Sequence, residues 1–281
     1  MRAAVWVWTA VCLAGAGGCS PPQRRDGLDQ MVFQDDDGVD DGAVIQVRPP
    51  GRPPRARPPR TGPAPAGLPV LRDLPVALCA NEADRDGPSQ SIGAATSGSL
   101  ESGCQFPRSG PGWLAVNDNA FGTDETVALL QYALRTTALQ FPGTPAVVVG
   151  GLSKPDGGFF APHKSHQSGR DVDIGYAHTS SQKRFVDAQA NNLDLERTWF
   201  LMSLLLGSGK VSYVFMDYQV QALLYEALLD QGWTEARLEP LFQYPAGGNV
   251  SQGVIRHAVG HLNHFHVRFR CPESDRPGCV D

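Results

Sequence analysis

The sequence predicts an α+β fold for most of the chain. Helix and strand patterns are interspersed without regular βαβ units, which argues against a doubly wound parallel sheet. No internal repeat is visible, so the sequence does not indicate a solenoid or a propeller. Gly and Pro number 31 and 23 among 281 residues. This is above their usual share, so part of the chain is not expected to fold.

Three segments carry the sequence signals of helices, namely 123–139, 194–206 and 217–232. Thr123 and Asp124 offer side-chain oxygens that can cap the first turn of the first helix, and Asp194 does the same for the second. In the third segment, apolar residues recur with the i, i+3, i+4, i+7 spacing of an amphipathic helix, and Gly232 closes it.

Four short segments favour β-strands because they are rich in apolar residues and are bounded by Gly, Pro or Asn. They are 146–149, 171–176, 211–216 and 264–270. The last of these carries the alternating pattern HFHVRFR, which is typical of a strand with two chemically different faces.

The net charge of −5, from 24 basic and 29 acidic residues, argues against a nucleic-acid binder, which normally has a basic domain. The longest apolar stretch, Ala3–Leu13, is too short to cross a bilayer as a helix. The sequence therefore predicts neither nucleic-acid binding nor a transmembrane helix.

Residues 1–18 resemble a bacterial lipoprotein signal, in which Arg2 precedes an apolar stretch and small residues lead to Cys19. Cleavage would leave a lipidated Cys19 as the first mature residue, and this anchor would be the only attachment to a membrane. The segment Ala14–Ala16 also fits an ordinary A-x-A cleavage site, which would release a free secreted protein. Both alternatives predict export, with the periplasm as the expected location.

Residues 19–68 are predicted to be a disordered tether. Ser20 to Leu68 contain ten of the 23 prolines, seven Arg and seven Asp, which is too polar a composition to form a core. The arginines could bind an anionic wall polymer or lipid, although a solvated spacer is the simpler interpretation. Residues 69–281 are then long enough for one domain with a sizeable core.

The folded segment keeps four cysteines, Cys79, Cys104, Cys271 and Cys279. An even number in an oxidising compartment predicts two disulfides, and four cysteines allow three connectivities. The nearest pairing joins the first two and the last two. The sequence contains no closely spaced C-x-x-C pairs, so it does not indicate a zinc finger.

All seven histidines lie between residues 163 and 266. In the strand HFHVRFR, the imidazoles of His264 and His266 share one face, because alternate side chains of a strand point to the same side. His178 and His257 lie outside the patterns described next, so we expect them to be structural or exposed.

A second polar strand face is predicted upstream. Asp171 and Asp173 alternate with apolar residues, and His166 precedes them across a turn marked by Ser168 and Gly169. An imidazole on this turn, the Asp173 carboxylate and an imidazole from the distant strand can converge on one point. Three such ligands with an open fourth position are typical of a catalytic zinc site. Asp171 shares a face with Asp173 and is an alternative ligand, but we expect it to orient a neighbouring ligand by hydrogen bonding.

These two blocks, SHQSGRDVDI and GHLNHFHVRFRCP, resemble the penicillin-insensitive murein endopeptidases. This group belongs to the LAS metallopeptidases, named for lysostaphin, D-Ala-D-Ala carboxypeptidase and sonic hedgehog. The wider class carries H-x6-D and a downstream H-x-H, matched here by His166 with Asp173 and by His264 with His266. Further matches specific to the group are His163, Gln167, His261, Arg268, Cys271-Pro272 and Cys279.

The resemblance implies a LAS/hedgehog-type core, with an antiparallel sheet flanked by helices, that binds Zn²⁺. It implies His166, Asp173 and His266 as zinc ligands and His264 as the general base that takes a proton from the attacking water.

The same resemblance implies that His261 and His163 polarise the substrate carbonyl or stabilise the oxyanion. Gln167 is a further candidate for substrate binding. Arg170, Arg256 and Arg268 are candidates for binding peptide carboxylates, although surface ion pairs are the commoner role of arginine.

The activity implied by the resemblance is hydrolysis of peptide crosslinks in peptidoglycan, at the bond from D-Ala to meso-diaminopimelate. Because no serine acyl-enzyme would form, β-lactams should not inhibit it. The alternative is a non-catalytic lipoprotein that binds wall peptide or metal in the same cleft. The presence of a base, His264, beside a complete ligand set favours the enzyme.

Overall fold

The computed structural model describes residues 67–73 and 75–281. The predicted signal segment 1–18, and the predicted tether as far as residue 66, lie outside the described residues. In the part of the chain that the structure describes, no helix has the length and apolar character needed to cross a membrane.

The described chain contains four α-helices, α1 (Asp124–Gln140), α2 (Leu195–Gly207), α3 (Tyr218–Asp230) and α4 (Glu235–Leu238). Its strands are β1 (Gln90–Ala94), β2 (Ser97–Glu101), β3 (Cys104–Gln105), β4 (Ser109–Gly110), β5 (Trp113–Ala115), β6 (Phe121–Gly122), β7 (Val147–Val149), β8 (Asp171–Gly175), β9 (Val211–Met216), β10 (Ile255–His257) and β11 (His264–Phe269). The predicted α+β class is thus confirmed.

The three predicted long helices all form. Thr123 Oγ1 accepts a hydrogen bond from the Thr126 amide at 3.1 Å, and Asp194 Oδ1 accepts one from the Arg197 amide at 3.1 Å. Asp217 caps α3 in the same way. The start of each helix was predictable because the capping oxygen lies next to the apolar repeat in the sequence.

Seven strands form the main sheet in the order β10-β9-β11-β8-β7-β5-β4. Its centre is antiparallel, as predicted, but β9 runs parallel to β10 and β5 runs parallel to β7. Parallel neighbours require a crossover, and helices supply both crossovers: α1 lies between β5 and β7, and α3 and α4 lie between β9 and β10. The sheet is therefore mixed rather than wholly antiparallel.

One face of the central strands packs into a single hydrophobic core with the helices. Val172 and Ile174 of β8 lie opposite Val267 and Phe265 of β11, and all four are completely buried. The core also contains Leu130, Leu134, Leu201, Leu205, Leu224 and Leu228 from the three long helices. The other face of β8 and β11 is left for polar side chains.

The disulfide connectivity left open by the sequence is Cys79–Cys104 and Cys271–Cys279. The second bridge lies in the C-terminal segment, which also pairs with β1: the Gly93 amide donates to the Gly278 carbonyl at 2.8 Å and the Val280 amide donates to the Gly93 carbonyl at 3.0 Å. The C-terminal segment is thereby fixed on the N-terminal hairpin.

Candidate metal centre

The pairing of β8 with β11 positions two of the predicted ligands. His266 lies directly opposite Asp173, and Arg268 lies opposite Asp171. Residues directly opposite one another in an antiparallel pair project from the same face. Because Val172 and Val267 are drawn into the core, Asp173 and His266 must project from the other side.

The third predicted ligand, His166, lies on the loop before β8. Its backbone adopts a left-handed conformation with φ of 63°, which costs about 1–3 kcal/mol in a residue other than glycine. Two hydrogen bonds hold it there: the His166 amide donates to Asp171 Oδ2 at 3.0 Å, and its ring Nδ1 lies 2.7 Å from the Leu152 carbonyl oxygen. The loop conformation aims the other ring nitrogen at Asp173.

The three predicted ligands meet in the interior. His166 Nε2 lies 3.1 Å from His266 Nδ1 and 3.3 Å from Asp173 Oδ1, and His266 Nδ1 lies 3.1 Å from the same oxygen. None of the three residues is more than 2% exposed. The structure thus brings together side chains that are separated by up to 100 positions in the sequence.

The hydrogen-bond partners assign the ring tautomers. The Leu152 carbonyl can only accept, so His166 carries its hydrogen on Nδ1. Of the two carboxylates that face His266, Asp171 is the closer, 2.9 Å from Nε2, whereas Asp173 Oδ1 is 3.1 Å from Nδ1. A hydrogen on Nε2 leaves the lone pair of Nδ1 able to bind a metal. In the neutral imidazoles, the two remaining nitrogen lone pairs and Asp173 Oδ1 therefore face one another without a shared proton. Three such electron donors fit a divalent metal ion.

His163 adds a further nitrogen to this group. Ligand atoms of His163, His166 and Asp173 all lie within 4.8 Å of one another, and His163 Nδ1 is 3.7 Å from Asp173 Oδ2. This set overlaps the set formed with His266, whose Nδ1 is closer to Asp173, at 3.1 Å. The shorter distance favours His266 as the third ligand and leaves His163 beside the centre.

The electrostatics of the site keep both aspartates ionised. Burial by itself raises the pKa of Asp173, but the imidazoles of His166 and His266 outweigh it and hold that pKa well below its usual range. Burial likewise raises the pKa of Asp171, and Arg268 and His266 more than compensate for it. Both carboxylates are therefore available as anionic acceptors at neutral pH.

His264 lies on the same face of β11, two residues before His266. Its Nε2 is 3.8 Å from Asp173 Oδ1, and its Nδ1 lies 2.6 Å from Asn263 Oδ1. The Phe185 ring stacks on the imidazole with centroids 4.8 Å apart. Phe185 fits there because position 150 is glycine: a Cβ at Gly150 would lie only 2.6 Å from the Phe185 ring.

His261 completes a group of five histidines. Its ring lies 4.8 Å from that of His264, and its Nδ1 is 3.1 Å from the Val259 carbonyl oxygen. The hydroxyl of Tyr176 donates to the His261 carbonyl at 2.9 Å and so holds the loop that carries His261. All the predicted catalytic histidines therefore surround the three-ligand group.

Arg170 does not fit its predicted role in substrate binding. The residue is 1% exposed, and its guanidinium donates to Ser91 Oγ, to the carbonyls of Phe269 and Val280, and to Asp281. A substrate carboxylate cannot reach a group enclosed by these acceptors. Arg170 instead joins the C-terminal segment to the sheet, which the sequence did not reveal because its partners are distant along the chain.

The other predicted substrate-binding residues are more accessible. Gln167 is half-buried, and its side-chain amide donates to the Lys164 carbonyl at 3.2 Å. Arg268 donates through Nε to Asp171 at 2.8 Å and its side chain remains 20% exposed. His178 is held between the Asn192 and Val186 carbonyls, in keeping with the expected structural role.

Sequence reasoning missed three residues that shape the site, Asn263, Phe185 and Tyr176. Asn263 was the most accessible to prediction, since it directly precedes His264 in the motif block. Phe185 and Tyr176 carry no local signal, because their contacts with His264 and the His261 loop depend on the tertiary fold.

The fold and the site together define an α+β domain with a buried histidine and carboxylate centre of the kind that holds a divalent metal. The family model described as penicillin-insensitive murein endopeptidase matches residues 91–227. This match confirms the resemblance indicated by the histidine motifs: residues 91–227 are similar to that family. The matched segment includes His166 and Asp173 and ends before β11.

Curated proteins named penicillin-insensitive murein endopeptidase are similar to this chain. The protein of Haemophilus influenzae is 29% identical over 206 residues, which cover 66% of this chain and 65% of that protein. A protein of Klebsiella pneumoniae is 28% identical over 208 residues, covering 66% and 68%, respectively. A protein of Escherichia coli is 27% identical over 217 residues, covering 69% and 71%. The chain thus spans about two thirds of the length of these relatives.

The Asp171→Asn variant tests how the centre is assembled. Loss of the carboxylate charge weakens the bonds to His266 and Arg268, so the imidazole is no longer held in one tautomer. We expect affinity for Zn²⁺, measured by competition with a chromogenic chelator, to fall by about 10- to 100-fold. Asp118→Asn, at an exposed carboxylate paired with Arg108, is the control and should leave the affinity unchanged. Equal affinities for both variants would contradict the orienting role of Asp171.

Proposed function

We propose that the protein is an exported zinc-dependent endopeptidase that hydrolyses peptide crosslinks of peptidoglycan, at the bond from D-Ala to meso-diaminopimelate. The observation that carries the proposal is the convergence of His166 Nε2, Asp173 Oδ1 and His266 Nδ1 to within 3.3 Å of one another. The names of the similar proteins supply the substrate class.

The donor set and its spacing support zinc as the metal. Zn²⁺ binds nitrogen and oxygen ligands at about 2.0–2.2 Å, which places the corners of a tetrahedron about 3.3 Å apart. The three observed distances are 3.1, 3.1 and 3.3 Å. With three protein ligands, a zinc ion bound there would keep one position open and would supply Lewis-acid activation of water and of the scissile carbonyl.

His264 would act as the general base. Asn263 Oδ1 accepts the hydrogen of His264 Nδ1, so the lone pair of Nε2 faces the ligand group, 3.8 Å from Asp173 Oδ1. Imidazole exchanges protons near neutral pH, so Nε2 can take a proton from the attacking water and return it to the leaving amine. Stacking on Phe185 limits rotation of the ring away from this direction.

His261 and His163 would act on the carbonyl oxygen. Both lie next to the ligand group: the ring of His261 is 4.8 Å from that of His264, and the ring of His163 is 4.3 Å from that of His166. An imidazole N–H directed at the developing oxyanion stabilises it most when water is excluded. Because the scheme uses no serine nucleophile, β-lactams should not inhibit the reaction.

Digestion of purified crosslinked muropeptides tests the proposal directly. The zinc-loaded full chain should release monomers, and the protein treated with a chelator should not. His264→Ala should lower turnover by about 10²- to 10⁴-fold, because proton transfer is lost, while zinc content stays near one per chain. His257→Ala, outside the ligand group, should retain turnover. Binding of muropeptides without turnover by the zinc-loaded protein would refute the enzyme and support the non-catalytic alternative.

Asn263 provides a test of how the base is oriented. In Asn263→Ala, the acceptor for His264 Nδ1 is lost, and we expect kcat to fall about 10-fold with little change in KM. Asn263→Asp keeps an acceptor oxygen and should restore most of the rate. Two-bond ¹H–¹⁵N correlation spectra of the imidazole report the tautomer of His264 independently of activity. An unchanged tautomer in Asn263→Ala would contradict the assignment.

Export and attachment through a lipid on Cys19 also belong to the proposal, since peptidoglycan lies outside the cytoplasm. They are supported by the signal-like sequence that precedes Cys19. In the native host, Cys19→Ser should move the protein from the membrane fraction to the soluble periplasmic fraction. A wild-type protein that already fractionates as soluble would instead support cleavage at the A-x-A site.

A further inference from the structure

The polar face of the sheet continues beyond the metal centre towards edge strand β10. His266 lies opposite Phe215 of β9, and Phe215 lies opposite Arg256 of β10. Together with Asp173 on β8, these residues form one row across four strands, all on the same face. Arg256 is thus two strands away from His266, a distance of about 10 Å.

A second row lies beside the first. Its aromatic and cationic side chains contact those of the first row. Arg268 lies opposite Tyr213, whose ring is 5.8 Å from that of Phe215. The guanidinium carbon of Arg256 is 4.3 Å from the centre of the Tyr213 ring, and that of Arg268 is 5.7 Å from the centre of the Phe215 ring. We call these four residues, Tyr213, Phe215, Arg256 and Arg268, the arginine–aromatic strip.

The strip is partly exposed, and one of its two arginines has no ion-pair partner among the residues that the structure describes. All four residues are half-buried, whereas their core-side neighbours Val214 and Ile255 are buried. Arg268 is balanced by Asp171. Arg256 donates to the Gly253 carbonyl but forms no ion pair with any residue that the structure describes. A guanidinium held over an aromatic ring is oriented in advance to bind a carboxylate through two parallel hydrogen bonds.

We infer that the arginine–aromatic strip is the subsite that binds the carboxylate-bearing arm of the peptide substrate, with Arg256 as the carboxylate ligand. The inference rests on the proposed function for the identity of the peptide. The strip begins at Phe215, whose ring is 5.6 Å from His266, and ends at Arg256. The interval of about 10 Å between His266 and Arg256 matches about three residues of an extended chain. A carboxylate about three residues beyond the scissile bond would thus reach Arg256.

The competing interpretation is that Arg256 only packs on Tyr213 and stabilises the sheet edge. The chain offers a matched control for that possibility, because Arg237 stacks on Trp233 at 4.5 Å outside the strip. A substitution at each arginine removes a similar cation–π contact. Only the change at Arg256 should affect ligand binding.

Isothermal titration of the full chain with a soluble crosslinked muropeptide dimer tests the subsite. His264→Ala serves as the background in which the dimer is not consumed. Adding Arg256→Gln should raise Kd about 10-fold or more, because a charge-assisted hydrogen-bond pair is lost. Arg256→Lys should recover part of the loss, and Arg237→Gln should leave Kd unchanged. The same dimer with amidated carboxylates should bind weakly, and its Kd should be the same for the background protein with and without Arg256→Gln.

The outcomes separate this inference from the proposed function. Unchanged Kd in Arg256→Gln, equal losses for free and amidated dimers, or no binding to the background protein would each overturn the subsite. If the zinc-loaded wild-type protein fails to cleave the dimer but binds it in an Arg256-dependent way, the subsite stands and the hydrolase does not. Thermal unfolding of both arginine variants verifies that the comparison is made between folded proteins.

Discussion

The register between β8 and β11 is the constraint on which the site depends. Val172, Ile174, Phe265 and Val267 are buried in the core, and this burial fixes which side chains face the other way. A slip of one residue would exchange the two faces and move the carboxylate and imidazole ligands into the core. Burial of these apolar side chains thus fixes the geometry of the polar centre, although none of them belongs to it. The side-chain pairing that follows from it also sets the rows of the arginine–aromatic strip.

Asp171 converts this register into a defined ligand arrangement. One of its oxygens accepts the amide of His166, and the other lies against both His266 Nε2 and Arg268 Nε. A buried carboxylate with unmade hydrogen bonds would be strongly destabilising, so each bond it makes to the site also offsets part of its desolvation. The left-handed backbone of His166 is held by the same interaction. Asp171, which is not one of the three predicted ligands, therefore couples the His166 loop, strand β11 and the Arg268 guanidinium.

The helical crossovers determine what surrounds this centre. Because α3 and α4 return the chain to the sheet edge, β10 runs parallel to β9 and places Arg256 beside Phe215. The antiparallel strands β8 and β11 in the middle of the sheet, in contrast, carry the candidate metal ligands Asp173 and His266. Division of the sheet in this way separates the buried histidine and carboxylate centre from the partly exposed arginine–aromatic strip.

The sequence by itself determined the α+β class, the three long helices and the histidines and aspartate that meet, because caps, apolar periodicity and strand alternation are local properties. It also indicated the family, through two short motif blocks. Only the tertiary structure decided the disulfide pairing, the parallel strands at the flanks, the structural role of Arg170 and the placement of Asn263 and Phe185 against His264. These features depend on contacts between residues far apart in the chain. Short strands such as β5 and β10, at three residues each, carry too little periodicity to reveal their partners in advance.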